Sequence, residues 1–333
     1  MGETKAKVIR PGVPAPSFEG RLHFDAFKRR GDVSYRALDT RSLMNRCTSR
    51  RMPFEWTVNP YRGCAIGCRY CYATYTHEFL GLPNPDSFHD QVWVKRGGEE
   101  ETARRVAAAV RRGERIALGA ATDPYQPGEA EERVTRRFLE LAAQHRGLRL
   151  SLITKGAIVL RDLDLLRRIH DRGALTVSVS LVSSDAALLR RVEPWAPPPL
   201  VRLEVLRRLV AAGLDVGLAL TPILPGLNDS AAGLDELLRR AAEAGVRRFT
   251  CGLLFLRSPT RERFLDFVER EFPRYAEAYR RAYAHQVYLG GRYRTRVMTL
   301  VDALAAKHGL RRGFMDSGFT ASRPEAAQLR LWG

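Results

Sequence analysis

The sequence predicts an α/β fold: a partial, open (β/α)6 barrel of the TIM-like kind. A core domain over 51–256 is expected between an irregular N-terminal segment (1–50) and a helical C-terminal extension (257–333). Three observations predict this. Short β-branched or apolar runs alternate six times with amphipathic segments, the pattern of a parallel sheet covered by helices. Six units are too few to close an eight-fold barrel. No G-x-G-x-x-G follows the first run, which argues against a dinucleotide-binding sheet.

The runs are FEWTVNP (54–60), RIALGAAT (115–122), LRLSLITKG (148–156), ALTVSVSL (174–181), DVGLALTPI (215–223) and VRRFTCGLLF (246–255). Each helical segment between them carries one apolar stripe. Residues 131–145 align Val134, Phe138, Leu141 and Ala142. Residues 162–173 align Leu163, Leu166 and Ile169, then stop at Gly173. Residues 201–213 align Leu203, Leu206 and Val210 before Gly213, and 231–245 close on Gly245. Residues 1–50 hold Pro11, Pro14, Pro16 and scattered charges without a sustained period, hence the irregular expectation. The tail from about 256 is helical in pattern and rich in Arg and Tyr, and it is read as a cap or accessory segment. In such sheets ligands gather at the carboxyl ends of the strands, so the residues just after each run are the candidates.

Composition narrows the class. The 333 residues, 45% hydrophobic, fit one large core domain with appendages. No apolar run reaches 18 residues, so no membrane span or membrane partner is expected. The opening MGETKAKVIRPG lacks an apolar stretch after its charges, unlike a secretory signal, and a cytoplasmic protein is expected. Five cysteines, three of them within eight residues, read as a metal site rather than a secreted disulfide scaffold. The net charge of +18 suggests nucleic acid. Only six of the 55 basic residues are lysine, though, and an arginine bias also follows from a GC-rich genome. The densest basic stretches are Lys28, Arg29 and Arg30, and Arg292, Arg294 and Arg296.

The cysteines Cys64, Cys68 and Cys71 follow the first run directly, spaced C-x3-C-x2-C within Asn59–Ala73. Glycines at 63 and 67 let the loop wrap closely around a compact object. Thiolates ligate iron–sulfur clusters, and a cluster usually takes four. Three leave one iron without a protein ligand, and an open position marks a catalytic centre rather than a structural one. The amino and carboxylate groups of a methionine moiety can chelate there. A Cys3His zinc site with His77 is the alternative reading.

The loop C-x3-C-x-(aromatic)-C after the first strand of a six-unit α/β chain resembles the radical S-adenosylmethionine (SAM) superfamily over roughly residues 54–255. Its flanks, NPYRGC…GCRYCYA, together with TDPYQP (122–127), resemble the spore photoproduct lyase-like, or DNA repair photolyase-like, branch. The resemblance implies a [4Fe–4S] cluster on Cys64, Cys68 and Cys71 that cleaves SAM reductively. The resulting 5′-deoxyadenosyl radical abstracts hydrogen from a substrate. An external one-electron reductant of the flavodoxin or ferredoxin type is implied as a partner.

The resemblance also implies SAM contacts. Tyr70 matches the aromatic residue that approaches adenine. Thr122 and Asp123 stand where the family usually has a Gly-Gly-Glu-like motif, absent here; Asp123 either accepts from the SAM ammonium or begins a turn. Thr154 and Lys155 end the third run, and Lys155 either binds the methionyl carboxylate or a substrate anion, or is a solvated strand-end lysine. Ser178 and Ser180 share one face of the fourth run, for the ribose or for close packing. Ile223 and Leu224, within TPILPG after the fifth run, resemble the segment that flanks adenine, or form a plain turn. Photoproduct lyases carry a further cysteine some tens of residues past the cluster. Here the next is Cys251 in the sixth run, read either as a hydrogen donor reaching the barrel interior or as a buried, inert thiol. Tyr72, Tyr75, Tyr125 and Gln126 either stack on a base at the mouth or pack the rim. Cys47, His77, Glu78 and His89 receive no chemical role, the zinc alternative for His77 aside. Three classes remain: a radical enzyme acting on DNA or RNA, one acting on a small molecule or peptide, and a non-catalytic iron–sulfur or zinc protein.

Overall fold

The structure is a computed structural model and describes residues 7–9, 33–49, 52–81, 84 and 86–313. Strands β1 (Lys7–Ile9), β2 (Val33–Asp39) and β3 (Met44–Arg46) come first. β4 (Trp56–Val58) and β5 (Tyr61–Arg62) lead into the cysteine loop. α1 (Ser87–Asp90), β6 (Gln91–Arg96) and α2 (Glu99–Arg111) follow it. β7 (Arg115–Leu118) is followed by α3 (Glu129–Glu132) and α4 (Val134–Ala142), and β8 (Arg149–Thr154) by α5 (Leu163–Arg172). β9 (Ala174–Ser180) is followed by α6 (Ala186–Val192) and α7 (Pro199–Ala211), and β10 (Asp215–Ile223) by α8 (Ala231–Glu243). β11 (Arg248–Leu253), α9 (Thr260–Glu271), α10 (Pro273–Tyr283), α11 (Gly291–Lys307) and β12 (Arg311–Arg312) complete the described chain.

β4, β7, β8, β9, β10 and β11 lie side by side in chain order. All are parallel, and each falls inside the run predicted for it. Among the described residues no pair closes this sheet, whose edges are β3 and β12. The register separates two faces. Ile116, Leu118, Leu150, Leu152, Val177, Val179, Leu218 and Leu220 are all but inaccessible and form the apolar face packed by helices. Thr57, Ala117, Ser151, Thr176, Ser178, Ser180, Gly217, Ala219 and Thr250 lie on the other. Small side chains there leave room on the concave side of the sheet.

Four details differ from the expectations. Residues 33–46 are not irregular: β2 pairs with β6, and β1 and β5 complete a second, four-stranded sheet, β1-β2-β6-β5. β3 joins the main sheet antiparallel to β4. Pro11, Pro14, Pro16 and the Lys28–Arg30 stretch lie outside the described residues. Second, the tail is not wholly helical, because β12 extends the main sheet beside β11. Third, Gly173 ends α5 without a left-handed turn. A Cβ there would come within 2.4 Å of the Leu148 carbonyl oxygen, so the close approach of two backbones explains the glycine. Fourth, the buried face of α7 runs through Arg202, Val205, Leu206 and Leu209. Leu203 and Val210 only flank it, because the stripe admits a buried arginine that apolar periodicity does not register.

No helix among the described residues is long and apolar enough to cross a membrane. The corrected stripe makes a prediction. Leu206→Ala should cost about 2–5 kcal/mol of unfolding free energy in a urea titration. Leu203→Ala, truncating a half-buried side chain, should cost less than half as much.

Candidate active site

The cysteine loop begins where β4 ends. Its glycines answer to crowding: Gly63 has φ +94°, and a Cβ there would lie 2.7 Å from the Gln91 carbonyl oxygen. A loop this tight pairs little of its own backbone, the Cys71 N–H to the Cys68 carbonyl at 3.2 Å, so other segments supply further partners. The Cys64 N–H donates to the Phe88 carbonyl at 2.8 Å. Gln126 clamps the loop twice, accepting from the Ala65 N–H at 2.9 Å and donating to the Gly63 carbonyl at 3.1 Å. His89 Nδ1 donates to the Cys64 carbonyl at 2.9 Å. From the C-terminal segment, Thr260 donates to the Cys71 carbonyl at 2.9 Å, and Arg263 to the Arg69 carbonyl at 3.1 Å.

Cys64 and Cys68 are buried and Cys71 is half-buried. Burial pushes all three thiols up, Cys68 to about 12. Opposing donors and charges are already aimed at the sulfurs. The Asp123 backbone N–H favours the Cys64 thiolate, the Ala73 N–H that of Cys71, and Lys155 the thiolates of Cys68 and Cys71. Three thiols whose anions are costly alone, on one loop, form a donor set suited to a cationic metal centre. Among the described residues no three His, Cys, Asp or Glu side chains are spaced to hold a single metal ion. A cubane cluster is wider than one ion, so its ligands stand further apart. His77 Nε2 pairs with the Gln91 carbonyl at 3.0 Å, its ring packs edge-on against Phe88 and Trp93, and its Nδ1 is buried without a hydrogen-bond partner.

The other sequence-derived candidates fall into two groups. Tyr70 and Lys155 come together beside the loop, while Ser178 and Ser180 stand on the facing side of β9, where the Ser180 carbonyl accepts from Arg202. Tyr70 is buried, and the Lys155 ammonium lies 5.9 Å from its ring centre. Burial alone would lower the lysine pKa, but Cys68 and Glu193 outweigh it and hold the ammonium above the usual lysine value. Ser178 and Ser180 are buried on the concave face.

Of the remaining candidates, Asp123, Thr154 and Thr122 serve the backbone. Both oxygens of Asp123 are engaged, by the N–H groups of Tyr125 (2.9 Å) and Lys155 (2.7 Å) and by the Thr154 hydroxyl (2.5 Å). Thr154 in turn accepts from the Gly156 N–H at 2.8 Å. The Thr122 hydroxyl reaches the Tyr61 carbonyl at 3.4 Å. Ile223 and Leu224 are fully buried, with the Leu224 N–H held by Asn228 at 2.6 Å. Tyr125 is not at the mouth: it is buried, with its hydroxyl on Asp162 at 3.1 Å. Gln126 is buried in the clamp described above. Tyr72 is 43% exposed, beside Cys71. Cys251 does not face the barrel interior. It shares the helix-covered face with Leu220, its partner in register, and its sulfur lies 3.7 Å from Met298 Sδ on α11. Cys47 Sγ lies 4.0 Å from the Ser49 carbonyl oxygen, and the Glu78 side chain lies outside the described residues.

Sequence reasoning missed Glu193, Arg202, Thr260 and Arg263. Glu193 is buried, accepts from the Tyr70 hydroxyl and pairs with Arg202 at 2.6 Å. The available signal was an arginine on the apolar stripe of α7, which demands a buried partner.

Comparison with known proteins agrees with this architecture. An uncharacterised protein of Mycobacterium tuberculosis is 35% identical over 299 residues, spanning 90% of this chain and 84% of the other. One of Methanocaldococcus jannaschii is 26% identical over 175 residues, 53% of this chain and 62% of that one. Among solved structures, a spore photoproduct lyase mutant superposes with a TM-score of 0.65 at 17% identity, covering 84% of this chain and 81% of that chain. Another, with bound AdoMet and dinucleoside spore photoproduct, gives 0.62 at 15% identity over 84% and 82%. Likeness at that identity shows a shared fold. The family model of the radical SAM superfamily matches residues 58–238, from the end of β4 into α8. This chain therefore belongs to the radical SAM superfamily, whose enzymes use a [4Fe–4S] cluster and S-adenosylmethionine.

Proposed function

We propose that Cys64, Cys68 and Cys71 ligate the [4Fe–4S] cluster and leave one iron for SAM, and that the substrate is a nucleic acid. One observation carries the ligand assignment: three thiols, two buried and one half-buried, share a single clamped loop past the carboxyl end of β4. Together, bound cluster and SAM supply reductive cleavage to a 5′-deoxyadenosyl radical, driven by an electron from a flavodoxin- or ferredoxin-type donor. The protein's part is holding, orienting and excluding water. Gln126, His89, Thr260 and Arg263 keep the loop carbonyls turned away from the sulfurs. Lys155 offers a charge for the methionyl carboxylate, and Tyr70 a ring edge for adenine. Ser178 and Ser180 offer hydroxyls to the ribose from a floor of small residues. Ile223 and Leu224 give an apolar wall. Thr122, Thr154 and Asp123 act at one remove, since their bonds fix the turns after β7 and β8. Burial of the loop keeps water from a reactive radical.

Support for a nucleic-acid substrate comes from the +18 charge and from Tyr72, exposed next to Cys71. A spore photoproduct lyase structure of the same fold holds a dinucleoside photoproduct, which supports repair or modification of a base. A face of that kind needs both phosphate-neutralising charge and an aromatic surface for stacking.

Anaerobically reconstituted protein tests the ligand assignment. Iron and sulfide should be present, and dithionite with SAM should yield 5′-deoxyadenosine, with both lost in Cys68→Ala. Zinc in place of iron, without SAM binding, would overturn it. The substrate class makes a separate prediction. Binding to DNA or RNA should weaken by about a thousandfold between 50 and 200 mM salt if six or so phosphates are contacted. Affinity unchanged by salt would favour a small-molecule or peptide substrate instead.

A further inference from the structure

Beside the cysteine loop lies a buried charged group. The Glu193 carboxylate, wholly buried, receives the Tyr70 hydroxyl, the Arg202 guanidinium at 2.6 Å and the Lys155 ammonium at 3.8 Å. Arg202 is the largest fully buried side chain among the described residues. It is fastened independently, through Nε to the Pro197 carbonyl at 2.7 Å and Nη1 to the Ser180 carbonyl at 2.9 Å. The group shares a wall with the loop. Tyr70 stands between Cys68 and Cys71 in sequence. Trp195, two residues past Glu193, lies so close to Gly67 that a Cβ there would come within 2.6 Å of its ring.

Packing does not call for this arrangement. Each buried ion costs several kcal/mol to desolvate, and apolar side chains of similar volume are often as stable or more so. Two cations also face the Glu193 carboxylate, so these three side chains carry one net positive charge; the further carboxylate beside Lys155, Asp123, has both oxygens taken by N–H and hydroxyl donors. A single compensated pair would have sufficed to satisfy Arg202. What the surplus faces is the loop.

We infer that Lys155, Glu193 and Arg202 act as one electrostatic unit that sets the reduction potential of the cluster, an inference that rests on the cysteine assignment above. A cluster with three thiolates is anionic overall, and one-electron reduction adds a further negative charge. A net positive neighbour in a poorly solvated wall favours the reduced form and raises the potential. Lys155 supplies the near charge, Glu193 tempers it, and Arg202 keeps Glu193 from cancelling it. These are positioning residues: they act through the field at the cluster, not by contact with substrate.

The test uses the full chain, reconstituted anaerobically and titrated with dithionite without SAM, the midpoint being read from the electron paramagnetic resonance signal of the reduced cluster. Iron and sulfide in the wild type are measured first, and their absence sinks the cysteine assignment itself. With the cluster present, Lys155→Met should lower the reduced-to-oxidised ratio at fixed potential about tenfold, a 59 mV shift for one electron. Glu193→Gln should shift it the opposite way, and Lys155→Arg should leave it near wild type. A merely structural role predicts no such pair of opposite signs. Shifts of the same sign in Lys155→Met and Glu193→Gln, or an equal loss in Lys155→Arg and Lys155→Met, would overturn the proposal. Should Lys155→Met fail to hold iron, retention by Lys155→Arg upholds the role of charge, and loss from both defeats it.

Discussion

The backbone of the cysteine loop can satisfy few of its own hydrogen bonds, and the surrounding structure answers to that constraint. Gly63 and Gly67 sit at positive φ, which keeps the loop tight and leaves its carbonyls and N–H groups facing outward. Buried and unpaired, each would cost about 1–3 kcal/mol. Instead the segment after β7 supplies Gln126, α1 supplies Phe88 and His89, the end of α6 supplies the Val192 carbonyl to Arg69, and α9 supplies Thr260 and Arg263. Partners come from four separate parts of the chain. The sheet places those parts around β4, and the small sheet β1-β2-β6-β5 braces the far side through β5.

The same economy governs the two faces of the main sheet. Large aliphatic side chains crowd the helix-covered face, and small ones line the concave face. Apolar burial at roughly 25 cal/mol per Å2 is therefore concentrated on one side. Asp123 belongs to this scheme. Its oxygens hold the turn after β8 and so fix the backbone from which Lys155 departs.

All six parallel strands were legible, because each is an apolar or β-branched run bounded by turn residues and buried by a following helix. The second sheet was not. β2 alternates correctly, with Val33 and Tyr35 buried, but its partner β6 lies more than fifty residues on, and prolines and charges dominate the neighbouring sequence. The three-cysteine motif was legible because its spacing is local. Glu193 and Arg202 were not, because their meaning lies in each other, across the α6–α7 connection. Cys251 shows the limit from the opposite side. A reactive residue type on a barrel strand suggests chemistry, yet the period of two sends it to the face covered by α11. Tyr125 and Gln126 likewise looked like mouth residues and proved to be internal struts.

Thr260 bonds the Cys71 carbonyl across 189 residues of sequence, and Arg263 reaches the Cys68 carbonyl across 195. Synthesis runs from the N-terminus at about 5–20 residues per second. The thiols therefore emerge from the ribosome many seconds before the helix that locks their loop. During that interval the strands after β4 can pair in order, but the loop lacks two of its clamps. The cysteine corner of this protein is encoded early and finished late, so loading of the cluster proposed for it belongs to the completed chain rather than to the growing one.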